Sequence, residues 1–122
     1  MKRKVSLSFI VLVLLLGAQV YAQDSRETAK IQYLIASVET MQGATFIRNG
    51  LEYDTRQASA HLRLKLKRAG DRVRTAEDFI TLCASKSFMT GEPYQIRLAD
   101  GTTVKAEAFF RKKLIAFAKG RP

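Results

Sequence analysis

Ile31, Leu34, Ile35, Val38 and Met41 recur at helical spacing, with Arg26, Lys30, Ser37 and Thr40 off that stripe. The pattern predicts an amphipathic helix from about Ser25 to Gln42, with Gly43 as its natural stop. Phe46-Ile47-Arg48-Asn49-Gly50 then runs two bulky apolar residues into Asn-Gly, the strongest short turn signal in the chain. A tight turn there presents Arg48 and Asn49. A second helix, capped by Asp54 or Thr55 and stopped by Gly70, places Ala58, Leu66 and Ala69 within about 40° of Leu62 on a helical wheel. His61 falls at the boundary of that stripe, one turn before Lys65.

Thr75-Ala76-Glu77-Asp78 resembles a capping box with Asp in place of Glu or Gln, and it opens a third helix with Phe79, Leu82 and Cys83 inward. That helix is expected to end near Ser85-Lys86-Ser87. After Gly91 and Pro93 the period changes to alternation. Tyr94, Ile96 and Leu98 share one strand face, Asp100-Gly101 is a two-residue hairpin signal, and Thr102 to Lys105 reads as the return strand. Ala106, Phe110, Leu114 and Phe117 form the stripe of a final helix. The expected fold is therefore α+β, a helix-rich single domain of about four helices with one β-hairpin before the last. Leu34, Leu62, Phe79, Phe110, Leu114 and Phe117 are its expected shared core.

The amino terminus changes the compartment. Met1-Lys2-Arg3-Lys4 is a positive n-region, Val5 to Leu16 is apolar but for Ser6 and Ser8, and Val20-Tyr21-Ala22 sets small residues where a signal peptidase needs them. Residues 1–22 are thus an expected signal peptide, cleaved after Ala22, and residues 23–122 the domain. The apolar run falls short of the roughly 20 residues a spanning helix needs, so no transmembrane anchor is expected after cleavage. No Cys follows the run, which excludes a lipid-anchored lipoprotein.

Charge and composition narrow the chemistry. The 122-residue chain carries 21 Lys and Arg against 11 Asp and Glu, and the domain stays basic once the leader's three basic residues are removed. One Cys and one His exclude a disulfide scaffold and the metal sites built on several thiolates or imidazoles, so neither a metal nor a cofactor is expected. Walker, GxGxxG, GxSxG and HExxH motifs do not occur. Arg63, Lys65, Lys67, Arg68, Arg72 and Arg74 fall within twelve residues that contain one acid, Asp71. They flank the core stripe instead of forming one groove-reading face, and no aromatic residues interleave them, which argues against nucleic acid.

Five ordered segments resemble the YfeK-like family of small exported bacterial proteins, a domain of unknown function. They are Phe46-Ile47-Arg48-Asn49-Gly50, His61-Leu62-Arg63-Leu64-Lys65-Leu66, Thr75-Ala76-Glu77-Asp78-Phe79-Ile80, Ala84-Ser85-Lys86-Ser87 and Thr90-Gly91-Glu92-Pro93-Tyr94. The resemblance implies periplasmic residence in a Gram-negative envelope and supplies no reaction.

Binding is expected around Arg48, Asn49, His61 and Tyr94, where polar donors, a Gly-dependent turn and an aromatic ring stand outside the apolar stripes. No residue is assigned a catalytic role. A noncatalytic periplasmic protein that binds a protein partner or an anionic envelope component fits these features best. The alternative is a small periplasmic hydrolase using His61 with a hydroxyl of Ser85, Ser87 or Tyr53, assisted by Arg48 or Asn49. Cys83 reads as a small core residue.

Overall fold

The computed structural model of the chain describes residues 24–120, so the expected leader over residues 1–22 lies outside the described part. The first helix, α1, covers residues 24–39 of it and buries Ile31, Leu34, Ile35 and Val38; it ends short of the expected Gln42, so Met41, the last residue of the stripe, lies beyond the helix and is half-buried. Then follow β1 (Thr45–Arg48), β2 (Leu51–Tyr53) and α2 (Thr55–Ala69). A short 3-10 turn (Gly70–Arg72) leads to α3 (Ala76–Cys83), β3 (Gln95–Arg97), β4 (Thr103–Lys105) and α4 (Ala106–Ala118). The fold is α+β in one domain. Among the described residues no helix is long and apolar enough to cross a membrane.

The caps are the ones the sequence carries. Asp54 accepts the Gln57 backbone N–H while the Gln57 side chain accepts the Asp54 N–H, and Thr75 and Asp78 repeat the exchange at α3. Gly70 closes α2 with a positive φ.

Two hairpins, one more than expected, make a four-stranded antiparallel sheet in the order β2-β1-β3-β4. Asn49 and Gly50 both take positive φ, 52° and 76°, as a two-residue turn matching strand twist requires. The turn therefore closes a β-hairpin as well as presenting side chains. The second hairpin has a three-residue loop, Ala99-Asp100-Gly101, because the Gly101 N–H bonds the Leu98 carbonyl and Leu98 pairs with Thr102. Register sets Tyr53, Phe46, Ile96 and Val104 in one row across the sheet, on the face the helices cover.

Phe79 and Phe110, both fully buried, meet edge to face with ring centroids 6.3 Å apart. Leu34 and Leu62 join them in the core, but Leu114 is only half-buried against it. Phe117 is also half-buried and stacks on Tyr33 with centroids 4.9 Å apart. The last turns of α4 thus overrun the centre, which corrects the expectation that all four of its stripe residues are core. Cys83 is buried, and burial raises its thiol pKa.

The end of α3 also differs. It stops at Cys83, because Ser85 to Ser87 pair instead with Glu92 to Tyr94: the Ser87 N–H bonds the Glu92 carbonyl and the Tyr94 N–H bonds the Ser85 carbonyl. Phe88, Met89, Thr90 and Gly91 form the tip of this irregular loop.

Candidate functional site

Strand alternation decides where Arg48 goes. It lies two residues after the buried Phe46, so its side chain shares the helix-covered face of β1 and is half-buried instead of projecting from the turn. Across from it, α2 presents His61 and, one turn on, Lys65, while Tyr94 enters from the residue before β3. The structure thus brings Arg48, His61 and Tyr94 to one wall.

Arg48 Nη1 lies 3.0 Å from both His61 Nδ1 and His61 Nε2. An atom at that range from both nitrogens cannot lie in the ring plane without striking the carbon between them, so the guanidinium rests on the imidazole face. On its other side Arg48 Nη2 donates to the Tyr53 hydroxyl at 3.1 Å, with Cζ 5.0 Å from the Tyr53 ring centre. The neighbouring Glu52 is bound to Arg97.

Sequence reasoning missed Lys65, which it placed in a basic run flanking the core stripe. The residue is only 9% exposed. Its Nζ donates to the Tyr94 hydroxyl at 2.9 Å and to the Lys86 carbonyl at 3.3 Å, and lies 4.6 Å from the ring centre of Phe88. A wheel holds the signal: Lys65 falls about 60° from Leu62, on the side where Ala58 and Ala69 lie.

Asn49 reaches the neighbouring loop. Its amide donates to Ser87 Oγ at 3.2 Å, and Thr90 Oγ1 donates back to its Oδ1 at 2.6 Å. This clamps the loop tip against the first hairpin. The hydroxyls weighed as partners of His61 are engaged elsewhere: Ser85 Oγ donates to the Ile80 carbonyl, Ser87 Oγ accepts from Asn49, and the Tyr53 hydroxyl accepts from Arg48. Among the described residues no hydrogen bond joins His61 to a hydroxyl.

Two cavities adjoin this wall, and Arg48, His61 and Tyr94 line both. One, of about 370 Å³, lies between the sheet, α2 and α4, and its accessible wall is nearly all carbon. The other, of about 470 Å³, is lined by Lys65, Arg68 and Arg72 together with Ser87, Phe88 and Met89. Arg48, Lys65, Arg68 and Arg72 form no ion pair with a carboxylate among the described residues, whereas Lys30, Arg63, Arg97 and Arg111 do. No cluster of metal-ligating side chains occurs among the described residues.

Burial first, then the charges of Arg48, Lys65 and Arg68, push the His61 pKa down from 6.5 to about 4. Between those values the unfolded chain takes up a proton that the folded chain refuses. This histidine therefore withdraws stability as pH falls through that window, and contributes no slope above or below it. The His61 ring protons are expected to titrate near pH 4 by NMR, and His61→Phe should flatten the melting temperature across the window. A midpoint at the ordinary histidine value would show that the ring is solvated and free of its basic neighbours.

Residues 25–118 match a family of unknown function (DUF5329). The uncharacterized protein YfeK of Salmonella typhimurium strain LT2 is 39% identical over 85 residues, which cover 69% of this chain and 71% of that protein. No solved structure matches the chain. The five segments that resembled YfeK-like proteins hence lie inside a match extending from α1 to the last turn of α4, and the chain belongs to this family of unknown function.

Proposed function

We propose that this is an exported, noncatalytic periplasmic binding protein whose ligand carries an anionic group seated against Arg48 and Lys65. Export rests on the order of basic, apolar and small residues over positions 1–22. The binding reading rests on Lys65, a buried ammonium that lines a cavity with three arginines and has no carboxylate partner among the described residues. Taking a cation out of water costs several kcal/mol unless an opposite charge compensates. A hydroxyl, a carbonyl and the ring of Phe88 compensate this one only in part, and an anionic ligand completes the set. An anionic envelope component meets that need directly, which favours it over a protein partner.

The test compares melting temperatures of the processed protein in inorganic phosphate and in chloride at equal ionic strength. Phosphate is expected to raise the melting temperature of the parent by several degrees more than that of Arg48→Gln, by mass action on the folded state. Equal rises in both proteins would show a general salt effect and reject the site.

A further inference from the structure

The anion-binding reading accounts for the basic cavity and leaves the apolar one unused. That second cavity has the chemistry of a chain-binding chamber. Phe46, Leu62 and Phe110 supply its larger walls, and Ala58, Ala84 and Ala106, all buried, make room between them. Its polar lining residues are Arg48, Tyr53, Gln57, His61 and Tyr94, and the Arg48 guanidinium lies between the Tyr53 hydroxyl and the His61 ring. Its volume is at the lower end of the range of about 300–1,000 Å³ usual for small-molecule sites, which suits one narrow chain.

We propose that the ligand is a single-chain anionic amphiphile, with its anionic head held by Arg48 and Lys65 and its alkyl chain in the apolar cavity between the sheet, α2 and α4. This rests on the anion-binding reading and extends it to the rest of the molecule. Arg48 is the hinge of the proposal because it borders both cavities and, among the described residues, has only uncharged partners, Tyr53 and His61. A head group on Arg48 sits within the field of Lys65, Arg68 and Arg72, while the atom next to it faces carbon. A small anion uses half of this arrangement, and a neutral chain uses the other half. A fatty acid and a lysophospholipid with an anionic head share the required chemistry.

Isothermal titration with a series of straight-chain carboxylates, each below its micelle concentration, separates the contributions. Affinity is expected to rise from hexanoate to dodecanoate by about tenfold for every two methylenes until the cavity is filled. Dodecanol is expected to bind at least tenfold more weakly than dodecanoate, and dodecyl phosphate against dodecanoate tells a phosphate head from a carboxylate. Ala60→Leu, at an exposed position on the cavity lining, is expected to weaken dodecanoate. Affinity that stays flat with chain length overturns the amphiphile and leaves the anion site standing. Dodecanol binding as tightly as dodecanoate overturns the anion site itself. The series on the parent protein decides the matter even if the Ala60 variant folds poorly.

Discussion

Phe79→Ala is expected to lower the unfolding free energy by about 3–5 kcal/mol, the range for deleting a buried ring and leaving its hole. The side chain is fully buried, and its edge-to-face contact with Phe110 ties α3 to α4 while Leu34 and Ile35 of α1 belong to the same core. A single domain has only about 5–15 kcal/mol to lose, so the variant gives up from about a fifth to all of its stability. Phe117→Ala is the matched control. Its ring sits half-exposed on Tyr33, and losing one such pair costs about 0.5–1.5 kcal/mol beyond the area involved. Urea unfolding of the two variants checks the contrast. Equal shifts in midpoint would place the centre of the core elsewhere than α3.

Lys65→Met is expected to weaken binding of inorganic phosphate and of dodecanoate at least tenfold while leaving the melting temperature at or above that of the parent. A hydrogen bond to a charged group contributes about 1.5–3 kcal/mol, which sets the binding loss. Stability moves the other way because methionine keeps the apolar stem against Phe88 and Tyr94 and removes an ammonium that lacks a counter-ion among the described residues. A residue that destabilises the free protein and strengthens its complex is the expected signature of a binding group. Calorimetry of both proteins, with and without each probe, checks it. A large fall in melting temperature with unchanged binding would make Lys65 a structural donor to Tyr94 and Lys86.

Local chemistry was legible where a few neighbouring residues decide the structure. Thr75 with Asp78, and Gly70, act over one turn of chain and lie where the sequence puts them; of Asp54 and Thr55 it is Asp54 that caps α2, in a capping box with Gln57 that the sequence reading did not include. The first hairpin was not legible as strands. β1 and β2 have four and three residues, too short for a period of two to stand out, and Ile47 points to the polar face. The early end of α3 escaped for a different reason: Ser85 to Ser87 leave the helix to pair with residues beyond the loop tip. Arg48, Asn49, His61 and Tyr94 could be nominated one by one from residue type and turn chemistry. Their grouping was expected, but not the contacts that make it, which depend on β1 pairing with β3 and on α2 crossing the sheet face. Lys65 was hidden by its company: five other basic residues suggested solvent, while its own angular position marked the core edge.

The strand order carries a kinetic consequence. β1 with β2, and β3 with β4, are local hairpins that close over a few residues, whereas the central pair joins Thr45 to Arg97 and Ile47 to Gln95. Closing that long loop is the entropically expensive event, so it belongs late in folding, after the hairpins and helices have formed. Arg48 stands on one side of the closure and Tyr94 on the other. A chain arrested before it has no wall between the cavities. Ligand added during refolding then has nothing to hold until the final step, and should slow unfolding of the native protein without speeding the rate at which it forms.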